Sequence, residues 1–309
     1  MIVPENALFA LAAAASWGGG DFSGGMGVKA AGGTAAGALR LVIVAHAASL
    51  TVLTVLCVAS GATWPHGPAM VWALAAGATV GISLTAFYVS LSRGAMGVSA
   101  AVSGVLAAAI PAAISTVLEG APGKLRLAGF VVALAAIWVI AAGDSPENAA
   151  EDKAAARKTM GLAIVGGLGF GFYFVALRMS NGLGVMEPIA LARAASLVMC
   201  LLLLAVVGTR GKSTAAPPTS QNRDMGHPVR WLSGAAVGWA MGVALLDTGG
   251  NLLLIAATRA GRLDVAAVLS SMYSAVTILL AAWQLHERPT RRQMAGMIAA
   301  LVAVVMITL

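Results

Sequence analysis

The chain has 309 residues, of which 59 % are hydrophobic and only 10 % charged, against about 25 % charged in ordinary soluble domains. No soluble core hides that much apolar surface, so composition excludes a water-soluble globular protein. The net charge of +7 lies mostly between the apolar runs, which argues against nucleic acid as a partner and for basic membrane loops.

Ten apolar runs follow one another: 7–28, 38–60, 69–91, 96–118, 125–143, 160–181, 188–208, 231–257, 264–285 and 293–309. Each reaches about 20 residues, the length that crosses a hydrocarbon core. In lipid a span must satisfy its own backbone hydrogen bonds, so all ten are predicted as transmembrane helices of an all-α membrane protein. The first run carries no basic leader ahead of it and is expected to stay as an anchor. It contains SWGGGDFSGG, residues 16–25, which sets Asp21 among alkyl side chains and glycines. A carboxylate at helix centre costs about 2.5–3.5 kcal/mol on insertion scales, so such acids face a polar cavity or a partner. Two readings of Asp21 follow. It is a protonation site that exchanges a proton for solute or cation, or it is a bundle-ordering acid paired with Arg40 or Arg193.

Arg40 opens the second run, where snorkelling to the interface accounts for it; His46 further along reads as a hydrogen-bonded structural residue. Pro111 in the fourth run predicts a freed carbonyl and a bend. After the fifth run comes a polar linker, 144–159. The sixth run holds Tyr173 and the string GLGFGF, residues 167–172, which mimics a dinucleotide loop but has no strand before it. Arg193 opens the seventh run as Arg40 opens the second and takes the same snorkelling reading. A second polar loop, 209–230, reads as a surface connection. The eighth run contains Asp247 and, four residues on, Asn251. That spacing puts both on one helix face, as a ligand contact or an interhelical clamp. The ninth run contains SSMYS, residues 270–274, which gathers three hydroxyls around Tyr273.

Gly20/Gly24, Gly77/Gly81, Gly167/Gly171 and Gly238/Gly242 have the spacing that lets helices approach closely in a bilayer. Cys57 and Cys200 fall inside apolar runs and are expected to be small packing residues rather than a disulfide or metal site. Trp17, Tyr88, Tyr173, Tyr273 and Trp239 could wall a planar or cationic ligand.

The linker divides the chain into halves that look alike: 1–143 and 160–309, five runs each. Arg40 matches Arg193, Arg93 matches Arg259, Glu119 matches Glu287 and Gly129 matches Gly296, at separations of 153, 166, 168 and 167 residues. The arginine and glutamate pairs at helix ends read as anchors or cross-loop ion pairs. An odd number of spans per repeat forces the second half into the membrane upside down, so two inverted five-helix repeats are expected. That is an architecture of secondary transporters, with the solute site at midplane where the repeats meet.

The tryptophan–glycine stretch of the first run, the arginines of runs two and seven, and the ending LHERPTRRQMAGMIAALVAVVMITL resemble the EamA-type transporters of the drug/metabolite transporter superfamily. The strongest piece is the acidic residue, short turn and Ala-Gly that open the fifth helix of each half. The resemblance implies ten helices and passage of small, often amino-acid-like, nucleobase-like or drug-like metabolites. It implies both termini in the cytoplasm, whereas 13 Lys/Arg on one set of loops against five on the other place them outside. Related small exporters use an acid from each half, but aligning Phe22 with Phe174 sets Tyr173, not an acid, against Asp21.

The expectation is a secondary transporter of a small-molecule solute in the plasma membrane, among lipid, as a monomer or homodimer, with proton coupling an open possibility. Asp21, Asp247, Asn251, Trp17, Tyr173 and Tyr273 are its candidate substrate or coupling residues. No cofactor or metal is expected, since the four histidines are scattered and no phosphate-binding loop occurs. The alternative is an intramembrane enzyme using Asp21 and Asp247 as an aspartyl pair on a lipid or peptide.

Overall fold

Helices form wherever the sequence offers an apolar run. The computed structural model describes residues 4–63, 65–93, 96–118, 120, 123–141, 150–213, 231–286 and 290–308. Among them the helices are α1 (Glu5–Ala30), α2 (Ala35–Ala59), α3 (Pro68–Arg93), α4 (Met96–Leu118), α5 (Lys124–Ala141) and α6 (Ala150–Met179). They continue with α7 (Glu187–Ser213), α8 (Gly234–Ala260), α9 (Leu263–Ser270), α10 (Tyr273–Gln284) and α11 (Arg291–Thr308). Among the described residues, seven spans are long and apolar enough to cross a membrane: α2, α3, α4, Ala154–Met179, Glu187–Val207, α8, and α9 with α10 taken together. The first helix is not among them, because residues 16–25 replace alkyl side chains with glycine, serine and Asp21.

The expected boundaries shift in three places. The sixth helix starts at Ala150 rather than 160 and absorbs part of the polar linker, since AEDKAAARKT is rich in residues with high helix propensity. The seventh runs to Ser213, into the expected loop 209–230, whose remainder, 214–230, lies outside the described residues. The eighth begins at Gly234 because the Ser233 side chain caps it, accepting from the Ala236 N–H at 3.2 Å.

A break falls at a place the sequence reading did not mark. Helix α4 runs on through Pro111, while the ninth span is interrupted at Ser271–Met272. There Met272 N–H bonds Leu269 O at 3.2 Å and Ala275 N–H bonds Met272 O at 2.9 Å, the tighter three-residue pattern. The serine hydroxyls explain it. Ser270 donates to Ala266 O at 2.6 Å, Ser271 to Val268 O at 2.7 Å and Ser274 to Ser271 O at 3.2 Å, competing for the carbonyls that continue the helix. The hydroxyls expected to gather around Tyr273 are therefore turned to their own backbone.

Helix α1 is the centre of the bundle, packed against α8, α9, α10 and α3; α6 packs on α3 and α4, α2 on α7 and α8, and α5 on α11. Over residues 17–28 helix α1 is buried on nearly every side, whereas Leu8, Phe9 and Leu11 stay exposed, and a stretch so enclosed needs small residues. The Tyr88 ring lies where a side chain at Gly24 would stand, and the Ala192 backbone does so at Gly77. Gly167 and Gly171 sit close against Ser103 and Ile110, whereas Gly238 has open space around it, so that one pair of the four is not a tight crossing.

Helices α1 and α8 run antiparallel. Asn6 lies beside Gly261, Ser16 Oγ donates to Leu246 O at 2.7 Å, and Ser233 Oγ donates to Ala30 O at 3.4 Å. The α1–α2 turn uses Gly32 and Gly33 at φ 86° and 65°, left-handed values that favour glycine. Arg93 at the end of α3 donates Nε to Gly33 O at 2.9 Å. Arg259 at the end of α8 donates to Leu183 O at 2.6 Å and Gly184 O at 2.9 Å in the α6–α7 turn. The two clamps sit at opposite ends of the α1/α8 pair. Their expected companions Glu119 and Glu287 lie outside the described residues.

Candidate functional site

Asp247 stands at the middle of α8, about 20 Å along the axis from either end at 1.5 Å per residue. It is 8 % exposed, and its carboxylate is paired with Arg193, which is 0 % exposed. Arg193 is thus not a snorkelling residue. It sits one and a half turns into α7, where α7 crosses α2, and its guanidinium turns into the bundle. Its Nη1 reaches His46 Nε2 at 3.0 Å and its Nε donates to Ser49 Oγ at 3.3 Å. Arginine has only donors, so Nε2 accepts and the imidazole proton is on Nδ1, donated to Ser196 Oγ at 2.7 Å. Ser49 is in turn bonded to Thr248 at 2.5 Å.

On the other side of Asp247, Asn251 Nδ2 donates to its Oδ1 at 3.2 Å and to its carbonyl at 2.6 Å. Asn251 Oδ1 accepts from the Tyr173 hydroxyl at 2.8 Å. One polar chain therefore runs Tyr173–Asn251–Asp247–Arg193–His46–Ser196 and ties α6, α8, α7 and α2. Leaving any member unpaired in an apolar interior costs more than the bond it makes, so the chain fixes these helices in one arrangement.

Asp21 is placed differently. It is 7 % exposed, faces inward and makes no hydrogen bond or ion pair among the described residues, since Arg193 is given to Asp247. It borders a narrow pocket of about 20 Å³, room for about one water molecule. Trp17, Tyr173, Asp247 and Tyr273 border the same pocket. Phe170, Phe174, Val80 and Leu84 complete it. Trp17 stacks on Phe174 with centroids 5.1 Å apart and planes 6° from parallel, while Tyr273 meets Trp17 edge-on at 6.4 Å. The Trp17 indole N–H donates to Asp247 O at 3.3 Å, and Tyr273 OH is bonded to Ser103 at 3.1 Å. The rings are held in place before any ligand arrives.

Five of the six expected residues thus border one cavity, and the sixth, Asn251, positions two of them from behind. Tyr88 and Trp239 are not at the cavity: Tyr88 is fully buried against Gly24 with an unpartnered hydroxyl, and Trp239 meets Phe22 edge-on at 6.2 Å. Asp21 and Asp247 border the same pocket, and no hydrogen bond joins them among the described residues. Sequence reasoning offered Arg193 as a partner for Asp21, where it meets Asp247 instead, and it missed Phe170. Arg193 carried a signal in hindsight: His46, Ser49 and Ser196 give the facing runs polar groups at helical spacing, which an interface arginine does not need.

Residues 157–309 match the model of the EamA-like transporter family, so the expected resemblance holds on the second half of the chain. Among curated proteins no sequence match reaches significance. One solved structure, described only as a crystal structure of a protein, is similar at a TM-score of 0.67 and 16 % identity over 100 % of this chain and 99 % of that one. At that identity the likeness speaks for the fold alone, and it extends over both halves. Family match and apolar helices together make this a multi-pass membrane protein.

Proposed function

We propose that this chain, whose second half belongs to the EamA-like transporter family, is a secondary transporter that moves a small solute through the α1/α6/α8 cavity by alternating access. The observation that carries the reading is Asp21. A carboxylate buried in the bundle without a partner, bordering an aromatic pocket, is retained at a cost that structure alone does not require. Asp247, Asn251, Trp17, Tyr173 and Tyr273 shape and hold the pocket.

The packing supports an inverted repeat of residues 1–143 and 160–309. Exchanging α1 with α6, α2 with α7 and α3 with α8 turns the α1/α8 contact into α6/α3 and the α2/α8 contact into α7/α3, both of which occur. The Arg93 and Arg259 clamps, each on the turn after its repeat's first helix, sit at opposite ends of the α1/α8 pair, as inversion requires. Rocking one repeat on the other would open the cavity to each side in turn, with the break at Ser271–Met272, one residue before Tyr273, as the hinge. Ten spans, a plasma-membrane location and proton coupling belong to this proposal.

Two measurements test it. In a background with Cys57→Ser and Cys200→Ala, Gly33→Cys and Gly184→Cys should react with an impermeant maleimide from opposite faces; reaction from the same face would end the inverted repeat. Proteoliposomes carrying the full chain should accumulate a solute from a metabolite and drug panel, and a pH gradient should alter the flux. Flux unchanged in Asp21→Asn would remove Asp21 from the mechanism.

A further inference from the structure

We infer that the cavity takes an organic cation, an onium group on an apolar or aromatic body, and discriminates against zwitterions and anions. The inference rests on the transporter reading and names the substrate class of the same site.

The argument is one of charge placement. Two carboxylates border the pocket, but only one has charge to offer. Asp247 is met by Arg193 and by Asn251. Asp21 has no hydrogen bond and no ion pair among the described residues. No Lys, Arg or His borders the pocket. The cation nearest in the network, Arg193, has no exposed surface, and each of its three nitrogens is bonded, to Asp247, His46 or Ser49. A substrate carboxylate entering beside Asp21 would meet a second carboxyl and no basic side chain on the lining, in surroundings that screen poorly. An ammonium entering there neutralises the one open charge.

The walls favour the same class. Trp17, Tyr173, Tyr273 and Phe170 line the same pocket as Asp21, and aromatic rings attract cations most strongly where water is excluded. The Tyr173 hydroxyl and the Trp17 indole N–H already donate to Asn251 and the Asp247 carbonyl, and the Tyr273 hydroxyl is bonded to Ser103, so the pocket holds few polar handles for a hydroxyl-rich or carboxylated solute. This narrows the expectation of amino-acid-like metabolites to amines without an acid group.

Three probes that share a phenyl body separate the possibilities: the trimethyl(2-phenylethyl)ammonium ion, phenylalanine and 3-phenylpropionate. Binding to the full chain in detergent is measured by calorimetry, and flux in proteoliposomes. The ammonium ion should bind at least tenfold tighter than the other two. Asp21→Asn should weaken it at least tenfold and leave the others unchanged, while Asp21→Glu should keep most of the preference, which guards against a folding defect in the amide variant. Equal or tighter binding of phenylalanine or 3-phenylpropionate, no binding of the ammonium ion to the unaltered chain, or ammonium binding indifferent to Asp21→Asn would each overturn the inference. Selective ammonium binding without flux would leave the cation site standing and end the transporter reading; flux of 3-phenylpropionate alone would do the reverse.

Discussion

Two aspartates border one cavity, and the surroundings of each are opposite. Asp247, in the second half, is tied to an arginine with no exposed surface and to an asparagine, within a chain of bonds that crosses four helices. Asp21, in the first half, is nearly as buried, 7 % against 8 % exposed, yet has no such tie. Depth therefore does not distinguish a structural acid from a working one; the presence of a committed counter-ion does. A buried carboxylate with its cation in place holds the bundle, and one without it is open to whatever positive charge the pocket admits.

The sharpest way to break this contrast is Arg193→Ala. It leaves Asp247 buried and unpaired and should destabilise the protein by about 3–5 kcal/mol, read as a large fall in unfolding temperature in detergent. Adding Asp247→Asn to Arg193→Met should recover much of the loss, because the charges leave together. Asp21→Asn should behave in the opposite sense: stability within about 1 kcal/mol of the unaltered chain, or above it, since no partner is lost and a desolvated charge is removed, while solute flux falls at least tenfold. If Asp21→Asn instead destabilised the protein as Arg193→Ala does, the two acids would be equivalent and the contrast gone. Tyr173→Phe probes the far end of the network, where loss of one hydrogen bond to Asn251 should cost about 0.6–1.5 kcal/mol with little effect on cation preference. Smallest of all, Arg93→Ala and Arg259→Ala remove exposed clamps. Each should cost no more than about 1 kcal/mol, Arg259 more than Arg93, because it holds two close carbonyls against one.

Much of the cavity was legible before the fold. Asp21 and Asp247 stood out because acids in apolar runs are costly, and Asn251 because a spacing of four sets it on the face of Asp247. What the sequence misplaced was which group meets which. Arg193 at a helix start read as snorkelling, because position along a span gives depth but not direction. Only the crossing of α2 over α7 turns its guanidinium inward to His46, Ser49 and Asp247. Pro111 drew the expectation of a bend because proline removes a donor; the break in the ninth span drew none, since it lies where three serine hydroxyls compete for backbone carbonyls, a contest of geometry with no single-residue marker. The glycine pairs told the same story: three of four spacings meet a neighbour closely, and Gly238 meets open space.

By itself the sequence determined a chain of membrane-length helices with two buried acids, because apolar run length and the cost of a charge in lipid are properties of the residues alone. The tertiary structure decided that the two acids face one aromatic pocket and that one of them is already neutralised. That depends on contacts between residues far apart in the chain, such as Trp17 and Asp247, 230 positions apart, which local pattern does not encode and only helix packing brings together.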